Sequence, residues 1–195
     1  GRVHSVRIEC QSFLPDWRPD RPYRQSYSAR AEEGGVLRDL IHEIDYAAWI
    51  FGWPTAVQGC VRNLGRLGIE SDEMAELLWT TTAGTVISVG LDYLSRMPHR
   101  RMRASGEHGT LEWDGIIGRV KLELAEETAR VFQSNQTRDG MLQSQDLAFI
   151  KTASNTMTDP RLAIGGDGAR ALAICDAARF STITRREEKV VYHEV

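Results

Sequence analysis

Residues 33 to 54, EGGVLRDLIHEIDYAAWIFGWP, constrain this chain more than any other stretch. A glycine pair opens the segment and Gly52 and Pro54 close it, so the punctuation predicts one helix with a marked stop. Val36, Leu37, Leu40, Ile41, Ile44, Ala47, Ala48 and Phe51 recur at helical intervals and form an apolar stripe that must face a core. Asp39, His42, Tyr46 and Trp49 follow one another at steps of three, four and three along another side. A carboxylate, an imidazole, a phenol and an indole on one helix face suit a polar pocket. By spacing alone they would equally make an ordinary surface.

The rest of the chain sets the scale. Its 195 residues suffice for one sizeable core and are too few for two comfortable domains, so residues 1–195 are expected to form a single domain. A hydrophobic content of 42% with 26% charged residues describes a globular protein, and a net charge of −3 argues against nucleic acid or an anionic membrane as partner. No apolar run approaches the roughly 18 residues that span a bilayer. Cys10, Cys60 and Cys175 are odd in number and far apart in apolar surroundings. They read as buried free thiols of a cytoplasmic protein, and neither C-x-x-C nor Cys/His spacing suggests zinc, so no metal is expected. The opening GRVHSVRIEC alternates as a strand through Val6, Ile8 and Cys10, which looks like a domain entered in mid-sheet and cut from something longer.

A proline-studded loop, SFLPDWRPDRPYRQSYSAR, follows that strand. Proline pins the backbone and removes donors, so an extended, stiff loop is expected here. Trp17, Arg18, Arg21, Tyr23 and Arg24 are good material for a carbohydrate or anionic ligand, because guanidinium clamps carboxylate or phosphate and indole covers a sugar's apolar face. A solvated loop or a subunit contact is the plain alternative. Further on, strands are expected through Val57 and Val61, over 74–82 and over 84–94, the last two joined as a hairpin at Ala83–Gly84. Turn marks at Glu107-His108-Gly109 and Asp114-Gly115 imply three more short strands, with another at Thr128–Phe132. Residues 134–142 read as a polar link, and helices are expected over Gln143–Met157 and Gly168–Phe180, the second capped by Asp167. EEKVVYHEV reads as a last strand. The sum is an α+β fold: an open, mostly antiparallel sheet of about six to eight strands, with helices packed on one face and the other free for a partner.

The chemistry narrows to one histidine. His4 and His193 lie near the termini, His99 among arginines and His108 in a turn, all better suited to structural or exposed roles. His42 has Asp39 one helical turn away, and a nearby carboxylate favours the charged imidazole and orients the ring, as in a tuned general base. No nucleophile elbow marks a hydrolase. The Gly165-Gly166-Asp167-Gly168 run lacks the spacing of a dinucleotide fingerprint and reads as a capping loop, so no cofactor-binding residue is assigned.

The stretch GGVLRDLIHEIDYAAWIFGWPTAV resembles the signature helix of the glucose–fructose oxidoreductase/inositol dehydrogenase/rhizopine-catabolism (Gfo/Idh/MocA) family, roughly G-G-G-x-x-x-D-x-x-x-H-x-x-D followed by an apolar run, G and P. The ending GGDGARALAICDAARFSTITRREEKVVY and the strand-rich middle are similar to that family's C-terminal domain, and FLPDWRPDRPYRQSYSA resembles a branch associated with sialic-acid, amino-sugar and sugar-nucleotide gene clusters. The resemblance implies the substrate-binding and oligomerisation domain of a NAD(P)-dependent oxidoreductase acting on a sugar, amino-sugar or sugar-nucleotide hydroxyl. It implies that NAD or NADP is held mainly by an N-terminal Rossmann domain absent from this chain, so that the chain alone does not turn over. A dimer or tetramer through the sheet face is implied as well. His42 becomes the general acid/base, Asp39 its polarising partner and Asp45 a structural position of the signature. Here two residues separate Asp39 from His42 where most members have three. The competing expectation is a non-catalytic dimerisation module or degenerate member. A metal-dependent epimerase or hydrolase would require more acidic and His ligands around His42 than the pattern offers.

Overall fold

The computed structural model describes residues 1–154, 159–160 and 162–192. Nine strands form one sheet: β1 (Val3–Phe13), β2 (Ala56–Arg62), β3 (Met74–Thr80), β4 (Val86–Asp92), β5 (Leu94–Gly106), β6 (Gly109–Asp114), β7 (Arg119–Leu124), β8 (Arg130–Gln133) and β9 (Glu188–Lys189). They lie in the order β8-β7-β6-β5-β1-β4-β3-β2-β9. The α+β sheet is as expected, with nine strands in place of six to eight. Every neighbouring pair is antiparallel except β1 and β4, where Ile8 pairs with Val89 and Cys10 with Leu91.

Alternation sorts the side chains of this sheet. Val6, Ile8 and Cys10 of β1 are buried, as are Leu77 and Trp79 of β3 and Ile87 and Val89 of β4. Between them, the outward positions carry charge. Arg7 pairs with Arg103 and Glu9 with Arg101, so this face is wet and ionic. Helices cover only the apolar side. They are α1 (Val36–Asp39), α2 (Ile41–Phe51) and α4 (Gly165–Thr184), while α3 (Arg138–Ala153) has no buried residue.

The predicted single helix over the opening stretch is two. Leu40 departs from helical geometry at φ −103°, ψ 21°, and separates the four residues of α1 from the eleven of α2. The apolar stripe still reaches the core, with Val36, Leu37, Leu40, Ile44, Ala47 and Ala48 buried. Entry into α1 depends on Gly35, whose φ of 97° is open to glycine and where a Cβ would sit 2.5 Å from an Asp72 carboxylate oxygen. That oxygen's carboxylate is the α1 cap: Oδ2 accepts from the Leu37 N–H at 3.0 Å and Oδ1 pairs with Arg179 at 2.7 Å.

Helix α4 packs across β2 so closely that a Cβ on Gly59 would meet the Ala178 carbonyl oxygen at 2.5 Å. Ser181 and Thr182 accept hydrogen bonds from the Gly59 and Val61 N–H groups at 3.0 and 2.8 Å, which shields the strand edge. The helix ends differ from expectation. α4 starts at Gly165, and Asp167 sits inside it, its Oδ2 accepting from the Ile164 N–H at 3.0 Å. α3 begins at Arg138, inside the predicted polar link, because Thr137 Oγ1 accepts from the Gly140 N–H. Its predicted end, Met157, lies outside the described residues. The expected last strand contracts to Glu188–Lys189 paired with Ala56 and Val57, and His193–Val195 lie outside the described residues. Cys10 and Cys175 are buried as expected, whereas Cys60 is exposed, since it alternates with Val57 and Val61 on the side of β2 away from α4. No helix among the described residues is long and apolar enough to cross a membrane.

Replacing Gly35 by Ala forces a left-handed φ on a residue with a Cβ and drives that Cβ into Asp72. The expected loss is about 2 kcal/mol or more, read from the midpoint of urea denaturation. An unshifted midpoint would contradict this account of the α1 entry.

Candidate active site

Three elements converge below His42. The ring stands on the first turn of α2 with its side chain half exposed, and its Nε2 lies 3.1 Å from Oε1 of Glu43, whose side chain is wholly buried. Glu43 occupies the apolar stripe, three positions after Leu40 and seven after Val36. Its countercharge comes from β5: Arg100 donates to the same Oε1 from Nε at 2.8 Å, and its Nη2 forms an ion pair with that oxygen at 2.7 Å. Oε1 therefore carries every contact, and Oε2 is buried without a hydrogen-bond partner. Burial alone would raise the Glu43 carboxyl. The His42 hydrogen bond and the Arg100 charge outweigh it and hold the group below the ordinary carboxylate range.

The sheet register brings Cys10 to the same spot, because Cys10 is the cross-strand partner of Arg100. Burial first, and the Glu43 carboxylate second, push its thiol up to about 12, so it is protonated at neutral pH. Tyr46 lies one turn along α2, its hydroxyl beside Glu43 but outside hydrogen-bond geometry. Burial and then the Glu43 charge push that phenol up. Trp113 closes the cluster edge-on to Tyr46 at 5.8 Å, with the Arg100 guanidinium 5.2 Å from its ring centre.

Above this base is a cavity of about 350 Å³ lined by His42, Asp45, Tyr46, Trp49, Trp53, Arg100 and Asp167, with Pro160, Leu162 and Ala163. Its size is within the range of small-molecule sites, roughly 300–1,000 Å³. Burial and then the neighbouring Asp167 raise the Asp45 carboxyl. The wall thus offers an imidazole, two carboxylates and three aromatic rings, which is a suitable lining for a polyhydroxylated ring.

The predicted partners part company here. The Asp39 Oδ2 is buried without a hydrogen-bond partner and its carboxylate adjoins the buried Tyr93 hydroxyl, while the His42 ring meets Glu43. Burial and then Asp39 push the Tyr93 phenol far up. The break at Leu40 is the physical reason, since it rotates α1 against α2. The proline loop folds into short 3-10 turns at Leu14–Asp16, Tyr23–Gln25 and Tyr27–Ala29. Trp17, Arg18, Arg21 and Tyr23 line a second cavity of 340 Å³, which shares no lining residue with the first. Arg24 is instead turned onto the fold: its Nε donates to the Leu67 carbonyl at 2.9 Å, beside the Tyr23 hydroxyl at 3.0 Å. Trp17 stacks edge-on against Tyr93 at 5.4 Å, so the loop borders Asp39 through one phenol. Of the remaining described histidines, His4 and His108 are exposed and His99 pairs with Glu9 at 3.2 Å.

Glu43, Arg100 and Trp53 were not among the expected site residues. A charged residue inside an apolar helical stripe, and Arg100 alternating with buried Met102 and Ala104, are the signals that would have found the first two.

Fold and cavity together define an open-sheet domain with a histidine seated on a buried carboxylate. The sequence profile of the GFO/IDH/MocA C-terminal domain matches residues 1–112, and the chain belongs to that family. No curated protein matches the chain. Among solved structures it is similar to levoglucosan dehydrogenase in complex with NADH, with a TM-score of 0.82 at 18% identity over 99% of this chain and 60% of that one. An oxidoreductase from Agrobacterium radiobacter in complex with NAD+, L-tartaric acid and magnesium gives 0.78 at 18% over 97% and 57%. The WlbA dehydrogenase from Bordetella pertussis in complex with NADH and UDP-GlcNAcA gives 0.75 at 18% over 99% and 56%. These likenesses concern the fold, and the chain spans less than two thirds of each of those proteins.

Glu43→Ala would leave Arg100 half-buried and unpaired, and the expected cost is about 3 kcal/mol in urea denaturation at neutral pH. Because the folded carboxyl is held below its ordinary range, the stability of its ionised form is present above that range and fades as pH falls through the lowered value. The gap between wild type and Glu43→Gln is therefore expected to narrow toward acid. A gap that widens would contradict the sign of the shift.

Proposed function

We propose that this chain is the substrate-facing domain of a NAD(P)-dependent oxidoreductase that acts on a hydroxyl of a sugar, amino sugar or sugar nucleotide. The observation that carries the reading is His42, half exposed on the wall of a 350 Å³ cavity rich in aromatic rings and seated on a buried, ionised Glu43. The described residues do not themselves fit a dinucleotide. The Gly165–Gly168 run opens a helix whose capping Ile164 N–H is taken by Asp167, and no strand among the described residues leads into it. NAD or NADP would accordingly be held by a nucleotide-binding domain in the parent protein, where it supplies the hydride acceptor.

This chain's part is the proton. With Glu43 and Arg100 fixing the ring from below, the imidazole of His42 takes the proton of the reacting hydroxyl and returns it in the reverse direction. Tyr46, Trp49 and Trp53 pack against the apolar face of the sugar, and Asp45 and Asp167 accept from its other hydroxyls. Asp39, with Tyr93, tunes the same end of the fold from the loop side and is the second catalytic candidate. Arg18 and Arg21, with Trp17 and Tyr23, take an anionic substituent remote from the reacting carbon. Arg24 fixes the loop to Leu67.

A dimer or tetramer through the ionic sheet face is part of this reading. Arg7, Arg101 and Arg103 there, with Glu9, Glu112 and Asp114, present charges of both signs that a second copy can complement. Cytoplasmic residence suits three free cysteines.

In the full-length oxidoreductase, His42→Ala is expected to lower kcat/KM by about 100- to 10,000-fold while the thermal transition stays in place. Unchanged turnover would remove His42 from the reaction. Arg18→Ala with Arg21→Ala is expected to raise KM for an anionic substrate and leave kcat alone, the pattern of lost uniform binding. A fall in kcat at constant KM would instead place the loop at the reacting carbon.

A further inference from the structure

Sequence spacing offers no metal site, yet the sheet register assembles three metal-binding side chains from distant positions. The Cys10 thiol, the His42 imidazole and the Glu43 carboxylate present ligand atoms that all lie within 4.8 Å of one another. Cys10 and Glu43 are buried and fixed by β1 and α2, while His42 opens to the cavity. Zinc bonds of about 2.0–2.3 Å separate tetrahedral donors by roughly 3.3–3.8 Å, so ligand atoms within 4.8 Å of one another need to draw together by at most about 1.5 Å to hold the ion.

The hydrogen bonding of the cluster favours an ion. Glu43 Oε2 is buried with no partner, a free acceptor without a donor. Oε1 is tied to Arg100 by a hydrogen bond and an ion pair, which is how the outer oxygen of a ligating carboxylate is held. Thiolate with imidazole and one carboxylate suits a borderline-soft cation and disfavours magnesium or calcium. A thiolate and a carboxylate match the charge of a dication, the Arg100 guanidinium behind Glu43 leaves one positive charge over, and the fourth position is open to water. Coordination replaces the proton on Cys10 by a metal–sulfur bond, and that proton leaves to solvent. No electron is transferred.

We propose that Cys10, His42 and Glu43 form a binding site for a thiophilic divalent cation of the zinc class. An ion held there displaces the ring's contact with Glu43 and leaves the ring proton on the other nitrogen, which then cannot accept one from a hydroxyl, so metal loading and proton transfer at His42 exclude one another. The site follows from the positions of the three side chains and stands whether or not the oxidoreductase reading holds.

The test uses the chain stripped of metal by a chelator and kept reduced. Titration with Co2+ is expected to give an intense near-ultraviolet thiolate-to-cobalt band that saturates at one ion per chain. Zn2+ should displace it. Cys10→Ser should abolish the band, whereas Cys60→Ser, which alters the exposed thiol, should retain it. His42→Ala should weaken Zn2+ binding at least tenfold in chelator competition, and it changes an exposed ring, so it carries the test if Cys10→Ser does not fold. Absence of the band, its survival in Cys10→Ser, or unaltered Zn2+ affinity in His42→Ala would each overturn the proposal.

Discussion

One buried ion pair, Glu43 with Arg100, links α2 to β5 at the point where chemistry is expected. Removing both charges from water costs several kcal/mol per ion, and only close, well-formed contacts offset that. The geometry meets the condition on one side alone: two nitrogens of Arg100 and the His42 ring all reach Oε1. An apolar pair of the same volume would hold helix and sheet together at least as well. What such a pair could not do is fix an imidazole at the mouth of a cavity, with a negative charge beneath it. The pair is therefore better understood as positioning than as stability.

The break at Leu40 gives that position its meaning. A continuous helix would turn Asp39 and His42 to one side. The interruption sends Asp39 toward Tyr93 and the proline loop and leaves His42 with Glu43. Two cavities result, one ringed by arginines on the loop and one ringed by aromatic groups and carboxylates. A substrate with an anionic part and a sugar part would use them separately. Gly35 and Asp72 secure the arrangement from the other end, since a glycine conformation and a carboxylate cap start α1 where they do.

Much of this was legible in the residues. The hairpin at Ala83–Gly84 announces itself because Gly84 takes a positive φ, and that after Asp114 because its carboxylate accepts from the Ile116 and Ile117 N–H groups and Gly118 takes a positive φ. The apolar stripe of residues 36–51 and the importance of His42 are equally local. What local pattern does not encode is partnership across the fold. Cys10 meets Arg100 through the register of β1 with β5, and nothing near either residue in sequence states that register. Glu43 was legible in principle, as a carboxylate in a buried stripe, but its countercharge lies on a strand more than fifty residues away. Helix ends shifted for a smaller reason. Thr137 and the Ile164 N–H with Asp167 satisfy first-turn groups that composition had assigned to linkers.

The central claim is that His42, seated on Glu43, faces the reacting hydroxyl. The most direct measurement is a crystal structure of the full-length protein with reduced cofactor and a sugar nucleotide. The account predicts a sugar hydroxyl within hydrogen-bond reach of the His42 ring, about 2.6–3.2 Å, with the sugar against Tyr46 and Trp53. A sugar bound wholly within the Trp17–Arg21 cavity, with water alone at His42, would contradict it.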